Sequence, residues 1–277
     1  MTRLFGVLGD PVDHSLSPVF HEAAYRALGI DAVYGRFEIP KMLLRRALDG
    51  LIRMGGEGFN LTVPLKEAVI PLLDRIDPEA RAMGAVNTLV LRRGKCLGFN
   101  TDGAGFRQAL VELGWRPGPT RAVILGAGGS ARAVAWELSR APGSSIMIAN
   151  RTPRRAHALA RWLRPHRKRS EIRAAALEKL SLDGADVLVN TTTVGMSPRD
   201  GLLIDPRALR KGMIVYDLVY HRTTALIEVG RRRGCVAVGG LSMLLYQGAA
   251  AFRLWFDLEP PIAAMRRALE ASVHSRR

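Results

Sequence analysis

RAVILGAGGSAR, residues 121–132, is the stretch that decides the fold. Ala122–Leu125 is a short apolar run rich in branched residues. It breaks into Gly126, Gly128 and Gly129, and a helical pattern follows. The order strand, tight turn, helix start, with the spacing Gly126-x-Gly128-x-x-Ala131, fits a dinucleotide-binding βαβ unit. The first glycine makes the turn, the second lets backbone approach a pyrophosphate, and the small third residue packs helix on strand. The helix then aims free N–H groups and the positive end of its dipole at the phosphates.

Ser144–Ala149 reads as the next strand. It runs into Asn150, Arg151 and Thr152, where an NAD-binding fold carries an acid for the ribose 2′-hydroxyl. No acid stands there. A guanidinium cannot accept that hydrogen bond, but it pairs with a 2′-phosphate and stacks on adenine. Arg154 and Arg155 add charge at the start of a helix over Pro153–Leu163, where cations oppose the dipole unless an anion is bound. The expected cofactor is NADP rather than NAD.

The 277 residues suit one large or two modest domains, and 48% hydrophobic with 24% charged residues is an ordinary globular balance. No apolar run is long enough to span a bilayer, and MTRLFGVLGD lacks the h-region of a signal peptide, so a cytoplasmic protein is expected. Cys96 and Cys235 stand apart, without a CxxC or neighbouring histidines, and read as small buried residues. The six histidines never fall into ligand spacing, so no metal is expected. A formal charge of +16 raises nucleic acid as a partner. The densest basic clusters, Arg164–Arg169, Arg231–Arg233 and the terminal Arg276-Arg277, lack interleaved aromatics and fit no nucleic-acid module. Specific nucleic-acid binding is not expected, but a positive field steers a phosphorylated cofactor and an anionic substrate.

From the N-terminus, Arg3–Asp10 reads as a strand and PVDHSLS, residues 11–17, as a loop. Ser17-Pro18 then opens a helix with Ser17 as its cap. Ser15 has no such local duty, and two hydroxyls spaced by one residue at a strand's C-terminal end can together hold a carboxylate. Val33–Ile39 is a strand, Lys41–Met54 a helix, and Gly58–Val63 (GFNLTV) a strand running into a short helix over Leu65–Leu73. Alternating strands and helices imply a mainly parallel sheet with ligands at strand C-terminal ends. Asn60, Thr62 and Lys66 fall toward that edge. Polar side chains at 60 and 62 need partners, and Lys66 in a first turn is disfavoured by the helix dipole.

Asp77-Pro78 caps a helix ending at Gly84, and residues 87–92 and 95–100 form a hairpin around Arg93-Gly94. Asp102 reads as the cap of a helix over Gly103–Leu113. Further strands are Ala185–Asn190, ending in Thr191-Thr192-Thr193, then Met213–Leu218, and Val236–Val238 before Gly239-Gly240-Leu241. The C-terminal part is helical over Ser242–Asp257, with Gln247 the one amide in an apolar stripe, and a last helix follows Pro260-Pro261.

In their order, GVLGDPVDHSLSPVFHEAAY, FNLTVPLK, GAVNTL, NTDGAGF, GAGGSARA, NRT and YQGAAAFRLW resemble successive blocks of the shikimate dehydrogenase family over nearly the whole chain. The resemblance implies two α/β domains flanking a cleft: a mainly parallel substrate-binding domain (1–102) and a Rossmann-type NADP-binding domain (103–241), with C-terminal helices (242–277) returning to the first. It implies reversible NADPH-dependent reduction of 3-dehydroshikimate to shikimate, in aromatic amino acid biosynthesis, by a monomer or homodimer. A quinate or dual quinate/shikimate dehydrogenase is the alternative.

The resemblance also assigns roles. Lys66 and Asp102 would be the catalytic pair. Ser15, Ser17 and Tyr220 would hold the substrate carboxylate, and Asn60, Thr62, Asn87 and Gln247 the ring hydroxyls. Gly126, Ala127, Gly128, Gly129, Ser130 and Ala131 would hold the pyrophosphate; Asn150, Arg151, Thr152 and Arg155 the adenosine end; Thr191, Thr193, Met196, Leu218, Gly240 and Met243 the nicotinamide end. The chain departs from the family pattern at His221-Arg222-Thr223, at Ser242 and at Thr192.

Overall fold

The structure is a computed structural model that describes residues 2–274, so the terminal Arg276-Arg277 pair lies outside the described residues. The chain forms two compact units: the described residues up to Gly105 together with those from Leu244 onward, and Phe106–Met243.

The first unit carries strands β1 (Arg3–Gly9), β2 (Ala32–Glu38), β3 (Gly56–Leu61), β4 (Arg75–Ile76), β5 (Thr88–Arg92) and β6 (Lys95–Phe99) in the order β2-β1-β3-β5-β6-β4. β1 runs parallel to β2 and β3, and β4 to β6, while β5 is antiparallel to both of its neighbours. That reversal positions the site. Asn60 pairs with Thr88, and Thr88 with Phe99, so the start of β5 and the end of β6 arrive at the edge where β3 finishes. Residues 60, 87 and 100–102, far apart in the chain, thereby share one edge. Arg93 and Gly94 both take positive φ, the twist a two-residue hairpin turn requires.

Helices α1 (Ser17–Leu28), α2 (Leu44–Arg53), α3 (Leu65–Ala68) and α4 (Pro78–Met83) connect these strands. α3 is short, but Leu65 and Val69, one turn apart, are fully buried in the core formed with Phe59, Leu61 and Leu89. This burial fixes the turn that carries Lys66. The expected cap on α4 forms, with Asp77 accepting from the N–H groups of Glu79 and Ala80.

The second unit contains β7 (Arg121–Leu125), β8 (Ser145–Asn150), β9 (Glu171–Ala176), β10 (Val187–Asn190), β11 (Ile214–Asp217) and β12 (Val236–Gly239), all parallel, in the order β12-β11-β10-β7-β8-β9. Between β7 and β10 the strand order reverses, the point at which doubly wound sheets bind ligands. Helices α5 (Asp102–Glu112), α6 (Gly129–Leu138), α7 (Pro153–Leu163), α8 (Ala225–Arg232), α9 (Leu241–Phe256) and α10 (Ile262–His274) complete the chain, and α10 packs on α1 within the first unit. Cys96 and Cys235 are free and buried, and burial pushes the Cys96 thiol up to about 12.

Two capping expectations fail. α1 begins at Ser17 itself, behind Leu16, with no side-chain cap, so the Ser17 hydroxyl has no capping duty. Asp102 is the first residue of α5, and its carboxylate bonds side chains from elsewhere in the sequence. In both cases a local preference loses to a tertiary partner or to a one-residue shift of the helix start.

Candidate active site

In the first unit, Lys66 Nζ donates to Asp102 Oδ2. Asn87 Nδ2 reaches Asp102 Oδ1 at 2.7 Å, Thr101 Oγ1 at 3.0 Å and Gln247 Oε1 at 3.3 Å. The Asn87 carbonyl accepts from the Thr101 N–H at 2.7 Å and from Thr88 Oγ1 at 3.0 Å. The pair is sheltered, with Lys66 and Asp102 side chains 17% and 8% exposed, so its electrostatics are less screened than those of a surface ion pair. A carboxylate gripped on one oxygen by an ammonium and on the other by an amide is held in one orientation. An ammonium so placed can donate to, or share a proton with, an oxygen presented at the same edge.

Asn60 sits beside this network with its amide already occupied: Oδ1 accepts from Tyr34 Oη at 2.7 Å, and Nδ2 faces Asn87 O at 3.2 Å and Thr88 Oγ1 at 3.1 Å. Thr62 follows β3 and is partly exposed, and its N–H donates to Leu8 O at 2.9 Å. Ser15 Oγ accepts from the Ser17 N–H at 3.3 Å, and Ser17 is 5% exposed. Lys66, Asp102, Asn87 and Gln247 are thus joined through their side chains, and Asn60 joins them through the Asn87 backbone oxygen and Thr88.

In the second unit the glycine turn divides into two kinds of position. Gly126 has φ +111°, and a Cβ there would lie 2.4 Å from Thr191 Oγ1, so the fold itself requires glycine. Gly128 and Gly129 are different. Gly128 sits at φ −94°, and a Cβ on either residue would meet nothing within 4 Å. Their side of the turn is open space, and α6 starts there without a side-chain cap, leaving N–H donors for an anion. Ala131 is fully buried and lets the helix pack closely. Gly126, Ala127, Gly128, Asn150, Arg151, Arg155, Thr191 and Thr193 line one cavity of about 370 Å³, in the range of small-molecule sites. Arg151, Thr152 and Arg155 are exposed, and Asn150 Nδ2 braces the turn by donating to Thr152 O at 3.0 Å. These residues fit a phosphorylated dinucleotide.

Met196 is exposed and Met243 buried, and the Met243 N–H donates to Tyr216 Oη at 3.1 Å. Gly240 packs so tightly that a Cβ would meet Leu218 O at 2.3 Å. Tyr220 is half-buried in this unit, its ring edge-on to His221 at 6.1 Å.

Residue-pattern reasoning missed the buried braces. Thr88 and Thr101, 0% and 4% exposed, orient Asn87. Asp217 accepts from Thr224 Oγ1 at 2.7 Å and from Asn190 Nδ2 at 3.0 Å, and Asn190 accepts from the Thr192 N–H at 3.0 Å. Burial raises the Asp217 carboxyl pKa against the pull of its donors. The one signal available was polar residues at strand ends otherwise built of valine, leucine and isoleucine.

Three family models match successive parts of the chain. The model of the shikimate dehydrogenase substrate binding domain matches residues 7–89, that of shikimate / quinate 5-dehydrogenase residues 116–197, and that of the shikimate 5′-dehydrogenase C-terminal domain residues 240–270. Over 282 aligned residues the sequence is 47% identical to the NADP(+) shikimate dehydrogenase of Moorella thermoacetica, an alignment covering 98% of this chain and 94% of the relative. The chain belongs to the shikimate dehydrogenase family. Solved members superpose on it throughout. A shikimate dehydrogenase in complex with NADP+ is 39% identical with a TM-score of 0.94, covering 98% of this chain and 96% of that one. The Thermus thermophilus shikimate dehydrogenase in complex with NADP(H) and shikimate is 39% identical with a TM-score of 0.88, covering 98% and 100%.

Proposed function

We propose that the protein is an NADP-dependent shikimate dehydrogenase, reducing 3-dehydroshikimate to shikimate reversibly in aromatic amino acid biosynthesis. The observation that carries the proposal is the sheltered Lys66–Asp102 pair, braced by Asn87 at the edge where the polar strand ends converge. Residues 1–102 with the helices from 242 onward act as the substrate half, and 103–241 as the cofactor half. We assign the substrate carboxylate to Ser15 and Ser17 with Tyr220, and the ring hydroxyls to Thr62, Asn87 and Gln247. Asn60 contributes once substrate displaces one of its internal partners.

NADPH, when bound, supplies the hydride. As the ketone oxygen gains negative charge, the Lys66 ammonium stabilises it and delivers the proton, with Asp102 holding the ammonium in line. In the reverse direction the same pair takes up the hydroxyl proton. Gly128 and Gly129 leave room for the pyrophosphate, and Arg151 and Arg155 favour the 2′-phosphate. The enzyme works in the cytoplasm and takes a small anionic substrate rather than nucleic acid. Among the described residues no helix is long and apolar enough to cross a membrane.

Steady-state kcat/KM for shikimate and quinate, each with NADP+ and NAD+, tests the proposal. Shikimate with NADP+ is expected to lead; a preference for quinate or for NAD+ would overturn it.

A further inference from the structure

The loop that bears Ser15 is held by a cation. Arg36, on β2, donates from Nε at 3.0 Å and Nη2 at 2.8 Å to the backbone oxygen of Ser15. The loop is pinned twice more, by the Ser15 N–H on Val12 O at 3.1 Å and by the Ser17 N–H on Ser15 Oγ at 3.3 Å. The latter bond uses a lone pair of the Ser15 hydroxyl and leaves its O–H free to donate outward.

A neutral donor would close this loop as well as a guanidinium does. What the guanidinium adds is charge. Both of its bonds end on one uncharged peptide oxygen, Nη1 is uncommitted, and Arg36 forms no ion pair with a carboxylate among the described residues. Asp13, the acid nearest in the loop, is occupied by His14 at 3.1 Å. An unneutralised positive charge therefore sits one peptide group from a pair of serine hydroxyls, one free to donate and the other buried. Hydroxyls alone discriminate poorly between a carboxylate and a neutral group, whereas a fixed nearby cation favours the anion.

We propose that Arg36 is a specificity-determining positioning residue: it orients the Ser15 turn and supplies the positive charge that makes the Ser15–Ser17 subsite select a carboxylate-bearing substrate. This inference rests on the dehydrogenase function proposed above.

The experiment compares wild type, Arg36→Lys and Arg36→Ala in steady-state oxidation of shikimate, with the methyl ester of shikimate as a neutral competitor. Loss of an exposed charge acting through a short polar link predicts a rise in KM for shikimate of about three- to tenfold in Arg36→Ala, with kcat and the KM for NADP+ little changed. Arg36→Lys keeps the charge and recovers most of the loss. The wild-type KM climbs with added salt more steeply than that of Arg36→Ala, and the ester inhibits wild type and Arg36→Ala equally. Equal damage in the lysine and alanine variants, equal loss of affinity for acid and ester, or an unchanged KM in Arg36→Ala would each overturn the role. Absence of shikimate turnover by the wild type would defeat the functional assignment instead, and a fall in the melting temperature of Arg36→Ala with unchanged KM would reduce Arg36 to a loop staple.

Discussion

The two candidate regions, one in each unit, are built by opposite means. Around Lys66 and Asp102 the first is made of side chains already satisfied by one another: ammonium on carboxylate, carboxylate on amide, amide on two threonines. Around Gly126–Gly129 the second is made of backbone and space, with a helix start left uncapped. On the function proposed above, the first arrangement would hold a proton-transferring group in one pose before substrate arrives, and the second would offer unpaired donors to an anion that brings its own charge. Substitutions in the first should damage chemistry, and substitutions in the second should damage binding or folding, position by position.

The largest effect that would break this contrast is at Asp102. Asp102→Asn keeps the shape but removes the charge that orients Lys66, and kcat for shikimate oxidation should drop by about two to four orders of magnitude with a smaller change in KM. A variant impaired only in KM would mean that the carboxylate binds rather than positions. Next come the glycines. Gly126→Ala forces a side chain into positive φ and against Thr191, and urea denaturation should register a loss of about 1–3 kcal/mol. Gly128→Ala should leave stability within about 0.5 kcal/mol of wild type yet weaken NADP+ measurably by titration calorimetry. Similar stability losses in both variants would erase the distinction drawn between them.

Arg151→Ala should cost NADP+ about ten- to a hundredfold in affinity, the scale of a charged hydrogen bond, while NAD+ binding barely moves. An effect on stability rather than activity lies away from the site, in the aromatic packing around His21. His21 is fully buried against Tyr34, with ring centroids 4.5 Å apart, and neither ring nitrogen makes a hydrogen bond. Burial pushes its pKa down to about 3. The unfolded chain therefore takes up a proton near the ordinary histidine value that the folded chain refuses, so stability holds above that pH and falls below it. The slope should approach about 1.4 kcal/mol per pH unit between roughly pH 6 and the depressed value. Urea midpoints measured across that window should flatten in His21→Gln; an unchanged slope would assign the acid sensitivity to other groups.

What was legible in the chain was what local chemistry dictates. The strand, turn and helix around Gly126 follow from residues adjacent in sequence, as does α7, whose bounds Pro153–Leu163 match the expectation. β9 (Glu171–Ala176) was not anticipated, because EIRAAALEKL has the composition of a helix and becomes a strand only by pairing with β8. The Asp102 cap was plausible locally and lost to Lys66, a partner 36 residues earlier in the chain. The saturation of Asn60 by Tyr34 and Thr88 is likewise a product of strand register, which the sequence does not spell out. Residue types at the site were readable, and the resemblance paired Lys66 with Asp102, but the braces around that pair were not readable.

The central claim is that Lys66 handles the proton that accompanies hydride exchange. Its most direct measurement is the turnover number for NADPH formation from shikimate and NADP+ at saturation, compared between wild type and Lys66→Ala. A fall of about two to four orders of magnitude, with both KM values little changed, is the expected result. A near-normal turnover number in the variant would contradict it.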